Sequence, residues 1–399
     1  MTFEEFILLH AGDDTSKLLL SGKVPGGFDL EEAVSTIECR KALSKKVPEW
    51  MQLSTLRFPL RLGAEQCSSS ATALEKASIA RHFAGGGAVA DLTGGLGVDA
   101  WAFSRHFDKV LYNEMSPVLC NAARHNFPLL GMSSVEIRNF CVGETPLREI
   151  LGDFIPDLIF LDPARRSVGG RKVFRLQDCS PDVTLLVPEL FEACPRLMLK
   201  LSPMADLTEL TRQLPGLEEM YCIGSEGECK EILALLRKNF DGGPEIIVRD
   251  LPEGVFRFRP SEERSSCAVC MDRSMPLPRY LLEPSKALLK SGAFNLASAR
   301  FKVLKAAPST HLYFSDSPVE AFPGKIFEII DVSPFSGKAI KDFAARYSVY
   351  GVTARNLPVS SDELSRKTGP GNPSGPPVHI FAFSLSDSSR IILAASSSN

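Results

Sequence analysis

The sequence lacks the long apolar runs of membrane proteins, because no stretch approaches the roughly 18 consecutive apolar residues needed to span a bilayer. Its opening letters, MTFEE, are acidic where a secretion signal would be basic. Its ten cysteines are irregularly spaced, which indicates reduced thiols, and its six histidines show no metal-ligand spacing. We therefore expect a cytoplasmic protein with no metal site and no membrane contact.

The composition is that of an ordinary globular protein, with 44% hydrophobic and 23% charged residues over 399 positions. This length predicts about two or three domains. The net charge of -3 conceals an asymmetry, because residues 271–399 contain 15 Lys or Arg and 10 Asp or Glu. A basic last third joined to an acidic body indicates a polyanionic partner.

Short apolar runs alternate with segments of helical length after the first 84 residues, and this alternation is typical of βαβ units and a parallel sheet. The predicted strands are 88–90, 110–112, 135–137, 157–161, 197–199, 217–222 and 245–248, with a helix at 228–238. The predicted organisation is a helical N-terminal segment (1–84), a doubly wound α/β domain (85–250), a linker (251–279) and two small α+β modules (280–325 and 326–399).

Three predicted strands of this domain end in an acid: Asp91, Glu114 and Asp162. The turn DLTGGLG follows the first strand, and its glycines let the backbone approach a ligand closely. The turn matches neither the GxGxxG fingerprint nor a P-loop, and Asp91 in front of it would repel pyrophosphate. It suits a ligand with a cationic amino-acid end. Glu114 is placed to accept hydrogen bonds from both ribose hydroxyls of an adenosyl group.

Acids at these strand ends, with a GGxG turn, resemble the class I S-adenosylmethionine-dependent methyltransferases over residues 65–250. EQCSSSATALEKA, DLTGGLGVDA, YNEMSP, LDPARR and KLSPM together resemble an uncharacterised bacterial group with ferredoxin-like and THUMP-like C-terminal modules. The resemblance implies a Rossmann-like doubly wound sheet, S-adenosylmethionine as cofactor and methylation of RNA, such as tRNA or rRNA. The cofactor-binding residues that we predict are Gln66, Asp91, Thr93, Gly94, Gly95, Gly97, Glu114, Asn139 and Phe140.

Two of those positions depart from the usual pattern. Class I enzymes often carry an acid after the third strand to hold the adenine amino group, whereas this chain has Asn139 and Phe140 there. Asn139 could accept that hydrogen bond, or Phe140 could stack on the ring.

Gln66 precedes three serines that could close over the methionine end of the cofactor, although a helix cap explains the serines equally well.

The segment DPARR (162–166) resembles the D/N-P-P-aromatic motif of amino-group methyltransferases, in which the acid and a proline carbonyl accept hydrogen bonds from the exocyclic amine. Here Arg165 and Arg166 replace the aromatic residue, and guanidinium planes can stack on bases or clamp phosphates. The predicted catalytic residues are Asp162, Pro163, Arg165, Arg166 and Lys200, with methylation of a base amino group favoured.

A second chemistry stays open, because ribose 2′-hydroxyl methyltransferases use a Lys-Asp-Lys-Glu tetrad. Lys76, Asp162, Lys200 and either Glu226 or Glu228 occur in that order, although Lys76 is expected on a solvated helix face. Carbon-5 methylation of pyrimidines is disfavoured, since KLSP at 200–203 offers no thiol. Two hypotheses of a different kind also stay open: an RNA-binding protein with an inactive methyltransferase domain, and a small-molecule methyltransferase.

Basic residues in two C-terminal segments predict a surface for RNA phosphates rather than base edges. The first segment carries Arg300, Lys302 and Lys305, and the second carries Lys338, Lys341 and Arg346. It is also possible for both segments to be solvated helices of a domain that only supports the methyltransferase.

Overall fold

A computed structural model of the protein describes residues 1–21, 26–165, 176–251 and 254–397. The chain divides into two compact units. Unit 1 comprises Met1–Met220 with Glu231–Gly242, and unit 2 comprises Tyr221–Lys230 with Gly243–Asn399. Within the described residues, no helix combines the length and the hydrophobicity required to cross a bilayer.

Unit 1 begins with helices, as the sequence predicts. They are α1 Phe3–Leu9, α2 Thr15–Ser21, α3 Leu30–Lys46, a 3-10 helix Trp50–Gln52, α4 Arg61–Gln66 and α5 Ser70–Ala84. Local signals set the ends of α5, because the Ser69 hydroxyl accepts a hydrogen bond from the amide of Thr72 and Gly85 adopts a left-handed conformation after the last turn.

Short strands alternate with helices through the rest of unit 1. The strands up to residue 237 are β1 Ala88–Asp91, β2 Lys109–Asn113, β3 Glu136–Arg138, β4 Leu158–Leu161, β5 Ala164–Arg165, β6 Cys179–Ser180, β7 Arg196–Leu201, β8 Leu217–Ser225 and β9 Glu228–Arg237. Residues 221–230, at the end of β8 and the start of β9, belong to unit 2. The helices among them are α6 Val98–Phe103, α7 Pro117–Leu129, α8 Leu147–Leu151, α9 Val183–Ala193 and α10 Leu207–Gln213, with a 3-10 helix Leu176–Asp178.

The main sheet of unit 1 has the order β3-β2-β1-β4-β7-β9. The first five of these strands pair in parallel, and β9 runs antiparallel to β7. Strands β1 and β4 are buried throughout, as expected for a parallel sheet covered on both faces. The strand order reverses between β1 and β4, so the carboxyl ends of these two strands flank the crevice where doubly wound sheets bind ligands. The fold is the Rossmann-like doubly wound fold that the sequence predicts.

Unit 2 contains an antiparallel pair and a seven-stranded sheet. The pair is β10 Glu245–Leu251 with β11 Val255–Phe258, and the sheet has the order β13-β14-β12-β15-β18-β17-β16. Its strands are β12 Tyr280–Pro284, β13 Leu304–Ala307, β14 Thr310–Ser315, β15 Gly324–Pro334, β16 Ser348–Arg355, β17 Pro377–Ser384 and β18 Arg390–Ser397. The helices are α11 Pro260–Ser265, α12 Lys286–Ser291, α13 Phe294–Phe301, α14 Gly337–Arg346 and α15 Ser361–Thr368.

One predicted element is wrong and one predicted segment contains regular structure. The helix predicted at 228–238 is strand β9, because an apolar run such as ILALL has no periodicity that separates a buried strand from a buried helix. The segment 251–279, predicted as a linker, contains β11 and α11.

Candidate active site

The turn after β1 is shaped by two glycines that pack against aromatic rings. A Cβ on Gly94 would lie 2.1 Å from the ring of Tyr112, and one on Gly97 would lie 2.6 Å from the ring of Phe127. Both glycines are therefore required by packing inside the protein. Gly95 differs, since it has a φ of +55° and no atom lies within 4 Å of where its Cβ would be. Of these three glycines, Gly95 is the one that leaves open space for a ligand.

Asp91, the last residue of β1, has a fully buried carboxylate of which only one oxygen accepts a hydrogen bond from the described residues. Its Oδ1 accepts a hydrogen bond from the amide of Thr93 at 3.1 Å, and its Oδ2 has no partner among the described residues. Burial, together with the nearby Asp99 carboxylate, raises the pKa of Asp91 well above its usual value. A buried carboxylate oxygen without a donor is costly unless a ligand supplies one. This observation fits the cationic amino-acid end of S-adenosylmethionine.

Glu114 follows β2 and joins the two sides of the turn. Its Oε2 accepts from the amide of Gly95 at 2.9 Å, and its Oε1 accepts from the amide of Ser116 at 2.8 Å. Each carboxylate oxygen has a second lone pair, so the side chain can still accept hydroxyl donors while the backbone fixes its position. Asn139 supports this loop, because its Nδ2 donates to the carbonyl oxygens of Glu114 and Met115.

The remaining predicted cofactor residues take different places. Phe140 is half-buried, and its amide donates to Oδ1 of Asn113, a residue that the sequence analysis missed. Gln66 is exposed at the end of α4. Thr93 does not point its hydroxyl to an open space, since Oγ1 accepts a hydrogen bond from the amide of Asp162 at 2.6 Å. Thr93 thus ties the turn after β1 to the end of β4.

Asp162 and Lys200 form the second half of this sheet edge. Lys200 Nζ donates to Asp162 Oδ2 at 2.6 Å, and the Asp162 side chain is 36% exposed. Burial acts to lower the pKa of Lys200, but the carboxylates of Asp162, Asp99 and Glu231 outweigh it and raise that pKa. Pro163 is buried, Arg165 lies in β5, and Arg166 lies outside the described residues.

The prediction that Lys76 lies on a solvated helix face is wrong. Lys76 is 0% exposed, and its Nζ lies 2.6 Å from Glu231 Oε1 and 3.3 Å from Asp99 Oδ1. It also donates to the Ser68 hydroxyl at 3.1 Å, and that hydroxyl donates to Asp99 Oδ2 at 2.9 Å. Helix α5 carries this lysine on its buried face because the carboxylates compensate its charge there.

The predicted tetrad glutamates are also wrong. The side chains of Glu226 and Glu228 are 81% and 72% exposed, and both pair with Lys230. The buried glutamate is Glu231, which the sequence analysis did not single out. No alternation of polar and apolar residues in β9 marks it, because every position from 231 to 236 is buried.

In the basic stretch around Lys302, the prediction of an exposed cation is wrong for Lys305, which is buried in β13 and donates from Nζ to the carbonyl oxygen of Pro308. Arg300 and Lys302 are exposed, and Arg300 pairs with Glu262 at 2.6 Å. On α14, Lys338 and Lys341 are exposed. No group of three or more His, Cys, Asp or Glu placed for a metal ion occurs in the part of the chain that the structure describes.

Comparisons with known proteins give consistent results. Residues 280–323 match a family described as a ferredoxin-like domain, and residues 324–396 match one described as THUMP domain-like. The chain is 24% identical over 327 residues to an uncharacterized S-adenosylmethionine-dependent methyltransferase of Mycobacterium tuberculosis, covering 77% of this chain and 82% of that protein. It is 30% identical to a protein of Porphyromonas gingivalis W83 solved as a candidate methyltransferase, with a TM-score of 0.85 over 100% of this chain and 98% of that chain.

Proposed function

Since the chain belongs to the class I S-adenosylmethionine-dependent methyltransferases with ferredoxin-like and THUMP-like C-terminal domains, we propose that it methylates RNA on an exocyclic amino group of a base. The enzyme uses S-adenosylmethionine, which supplies an electrophilic methyl group on a sulfonium.

Asp91, Gly95 and Glu114 are the residues proposed to hold the cofactor. The unpaired Oδ2 of Asp91 would accept hydrogen bonds from the ammonium group of the methionine end. The open side of Gly95 would admit the ligand, and Glu114 would accept from the ribose hydroxyls. Asn139 supports the Glu114 loop rather than the adenine, so Phe140 is the proposed adenine contact.

Asp162 is the residue proposed to hold the acceptor, and its contact with Lys200 is the observation that carries the proposal. Lys200 occupies Oδ2 from the buried side, and the carboxylate is still partly exposed. Oδ1 would accept a hydrogen bond from an exocyclic amine and orient the lone pair of its nitrogen. Methyl transfer needs mainly such positioning and the exclusion of water.

The state of Lys200 favours an amine over a hydroxyl. A general base works best when its pKa lies near the operating pH. The carboxylates around Lys200 raise its pKa, so the ammonium keeps its proton and acts as a donor to Asp162. The ribose 2′-hydroxyl is the second candidate acceptor, because Lys76, Asp162, Lys200 and Glu231 combine the residue types of the ribose-methylating tetrad.

RNA is proposed as the substrate because a THUMP-like domain covers 324–396 and because residues 271–399 carry 15 basic against 10 acidic residues. Lys338 and Lys341 on α14 are the proposed phosphate contacts, since both are exposed. A small-molecule acceptor would not need a basic module of this size. The ten free cysteines favour a cytoplasmic location.

Mass spectrometry of nucleosides tests this function. RNA from a strain that lacks the gene is compared with RNA from the same strain expressing the native protein or Asp162→Ala. We expect one base-methylated nucleoside to depend on the native protein and to be absent with Asp162→Ala. A ribose-methylated nucleoside would instead identify the second candidate, and unchanged methylated nucleosides in every strain would contradict RNA methylation. Expression of Asp153→Ala, which alters an exposed acid, is the matched control.

A further inference from the structure

Lys76 is a fully buried lysine in unit 1 that contacts three polar side chains: Ser68, Asp99 and Glu231. Replacing a buried ion cluster by apolar side chains of similar size is often neutral or stabilising. A gain in stability therefore does not account for an ammonium group at this position. The two carboxylates that it contacts also interact with Lys200. Lys200 belongs to the catalytic edge, the sheet edge that carries Asp91, Glu114, Asp162 and Lys200, so a role for Lys76 there follows.

The register of β7 and β9 links this cluster to Lys200. Lys200 lies opposite Leu233 and Leu201 lies opposite Ile232, so Glu231 is the diagonal neighbour of Lys200 on the same face of the sheet. Asp99 and Glu231 both interact electrostatically with Lys200. Three carboxylates, including Asp162, can therefore compete for one ammonium group.

We propose that Lys76 positions Lys200, because it engages Asp99 and Glu231 and so leaves Lys200 to donate to Asp162. The inference rests on the proposed function, in which Asp162 holds the acceptor. Ser68 completes the arrangement, since its hydroxyl accepts from Lys76 and donates to Asp99. Lys76 is a positioning residue, separated from the acceptor by Lys200 and Asp162.

Removal of the Lys76 charge has a defined consequence for its neighbours. In Lys76→Met, Glu231 and Asp99 lose the cation that pairs with them, and Lys200 is the other cation that interacts with both. Lys200 then turns to Glu231, and Asp162 loses the donor that orients it. Removal of the competing charge by Glu231→Gln in the same protein returns Lys200 to Asp162. A purely structural role for Lys76 predicts the opposite, because two substitutions in one buried cluster would then be worse than one.

The test uses three full-length variants: Lys76→Met, Glu231→Gln and the double variant. Lys230→Met is the matched control, because Lys230 precedes Glu231 in β9 and pairs with the exposed Glu226 and Glu228. Crystal structures give the distances from Lys200 Nζ to Asp162 and to Glu231. Turnover is measured with labelled S-adenosylmethionine and total RNA from a strain that lacks the gene, and calorimetry gives the affinity for S-adenosylhomocysteine.

We expect Lys76→Met to move Lys200 from Asp162 to Glu231 and to lower turnover about 100-fold, the effect of misplacing a reacting group by about 1 Å. The affinity for S-adenosylhomocysteine stays close to that of the native protein, and the double variant recovers most of the turnover. The inference is overturned if Lys200 stays on Asp162 in Lys76→Met, or if the double variant is no more active than the single one.

The same variants also cover two further cases, a Lys76→Met protein that does not fold and a native protein that methylates no RNA. If Lys76→Met does not fold, the double variant is compared with Glu231→Gln alone: similar turnover supports the role of Lys76, and much lower turnover overturns it. If no RNA accepts a methyl group from the native protein, the proposed function fails. The position of Lys200 in the variant structures then still decides whether Lys76 positions it.

Discussion

The two halves of the catalytic edge are built differently. On the side of β1 and β2, backbone amides hold Asp91 and Glu114, and Asp91 keeps one buried oxygen without a partner among the described residues. On the side of β4 and β7, the buried Lys76 and the mostly buried Lys200 compensate the carboxylates, and Lys200 donates to Asp162. In the proposed function, the ammonium group of the cofactor would complete the first half, whereas the second half is organised in advance. The difference implies that the first half determines cofactor affinity and the second determines turnover.

The largest expected effect is on the acceptor side. Asp162→Ala should lower turnover by about 100-fold or more, because it removes the group proposed to orient the amine. Its affinity for S-adenosylmethionine should stay near that of the native protein. Turnover with labelled cofactor and calorimetry of each variant measure the two effects separately. Loss of cofactor affinity as large as the loss of turnover would mean that the two halves do not act separately.

The corresponding change on the cofactor side is Asp91→Asn. We expect the cofactor to bind about 1.5–3 kcal/mol more weakly, roughly 10- to 150-fold, since a hydrogen bond to a charged group is lost. The free energy of unfolding of the free protein should not fall, because the substitution removes an acid whose ionised form burial disfavours. Calorimetry and denaturant unfolding measure both. Unchanged affinity would remove Asp91 from the cofactor site.

The pH dependence of cofactor binding tests whether Asp91 contacts the ammonium group of the cofactor. Burial raises the pKa of Asp91 in the free protein, and a bound ammonium group would stabilise the ionised form and lower that pKa. Binding should therefore release a proton, and affinity should rise with pH until it passes the pKa of the free protein. Calorimetry in buffers of different ionisation enthalpy measures the released proton. Asp91→Asn should abolish the release, and a native protein that releases none would contradict the assignment.

Two alanine substitutions in the turn test which glycine faces the ligand. Gly95→Ala meets open space but a positive φ, so it should cost about 1–2 kcal/mol of stability and weaken cofactor binding. Gly94→Ala should destabilise the fold more, because its Cβ would overlap the Tyr112 ring. Thermal unfolding and calorimetry separate the two effects. Equal destabilisation by both substitutions would show that Gly95 also has a packing role.

The smallest expected effect concerns RNA delivery. Charge reversal at Lys338 and Lys341 should flatten the salt dependence of RNA affinity by about 0.7 in slope for each lost phosphate contact on a single strand. Cofactor binding should not change. Charge reversal at Arg300, which pairs with Glu262, is the comparison variant and should leave the slope unchanged. Filter binding at several salt concentrations measures the slopes, and an unchanged slope would exclude α14 as the phosphate surface.

The strand-end acids and the glycine turn of the proposed cofactor half could be predicted from the sequence. A glycine turn and acids at strand ends depend on local patterns, and Asp91, Gly95 and Glu114 lie at one sheet edge as expected. The sequence did not distinguish the roles of the three glycines. Gly94 packs against a ring from β2, and Gly97 packs against a ring from α7. Such contacts depend on tertiary packing.

The acceptor half was only partly predictable. Asp162 and Lys200 follow from strand-end positions, but Lys76 and Glu231 do not, since a lysine is normally assigned to the solvated face of a helix. Its burial depends on carboxylates that lie far away in the sequence, 155 residues from Lys76 in the case of Glu231. The same reasoning failed for Lys305, which is also buried and donates to the carbonyl oxygen of Pro308. A sequence pattern does not show which distant carboxylates will neutralise a buried lysine.

The central claim is that one half of the catalytic edge determines cofactor affinity and the other determines turnover. Single-turnover methyl transfer at rising cofactor concentration tests it most directly. Native protein, Asp91→Asn and Asp162→Ala are mixed with the same RNA, and the rate is followed until the cofactor saturates. Our account predicts that saturating cofactor restores Asp91→Asn to near the native rate and leaves Asp162→Ala slow. Full recovery of Asp162→Ala, or an Asp91→Asn rate that stays low at saturation, would contradict it.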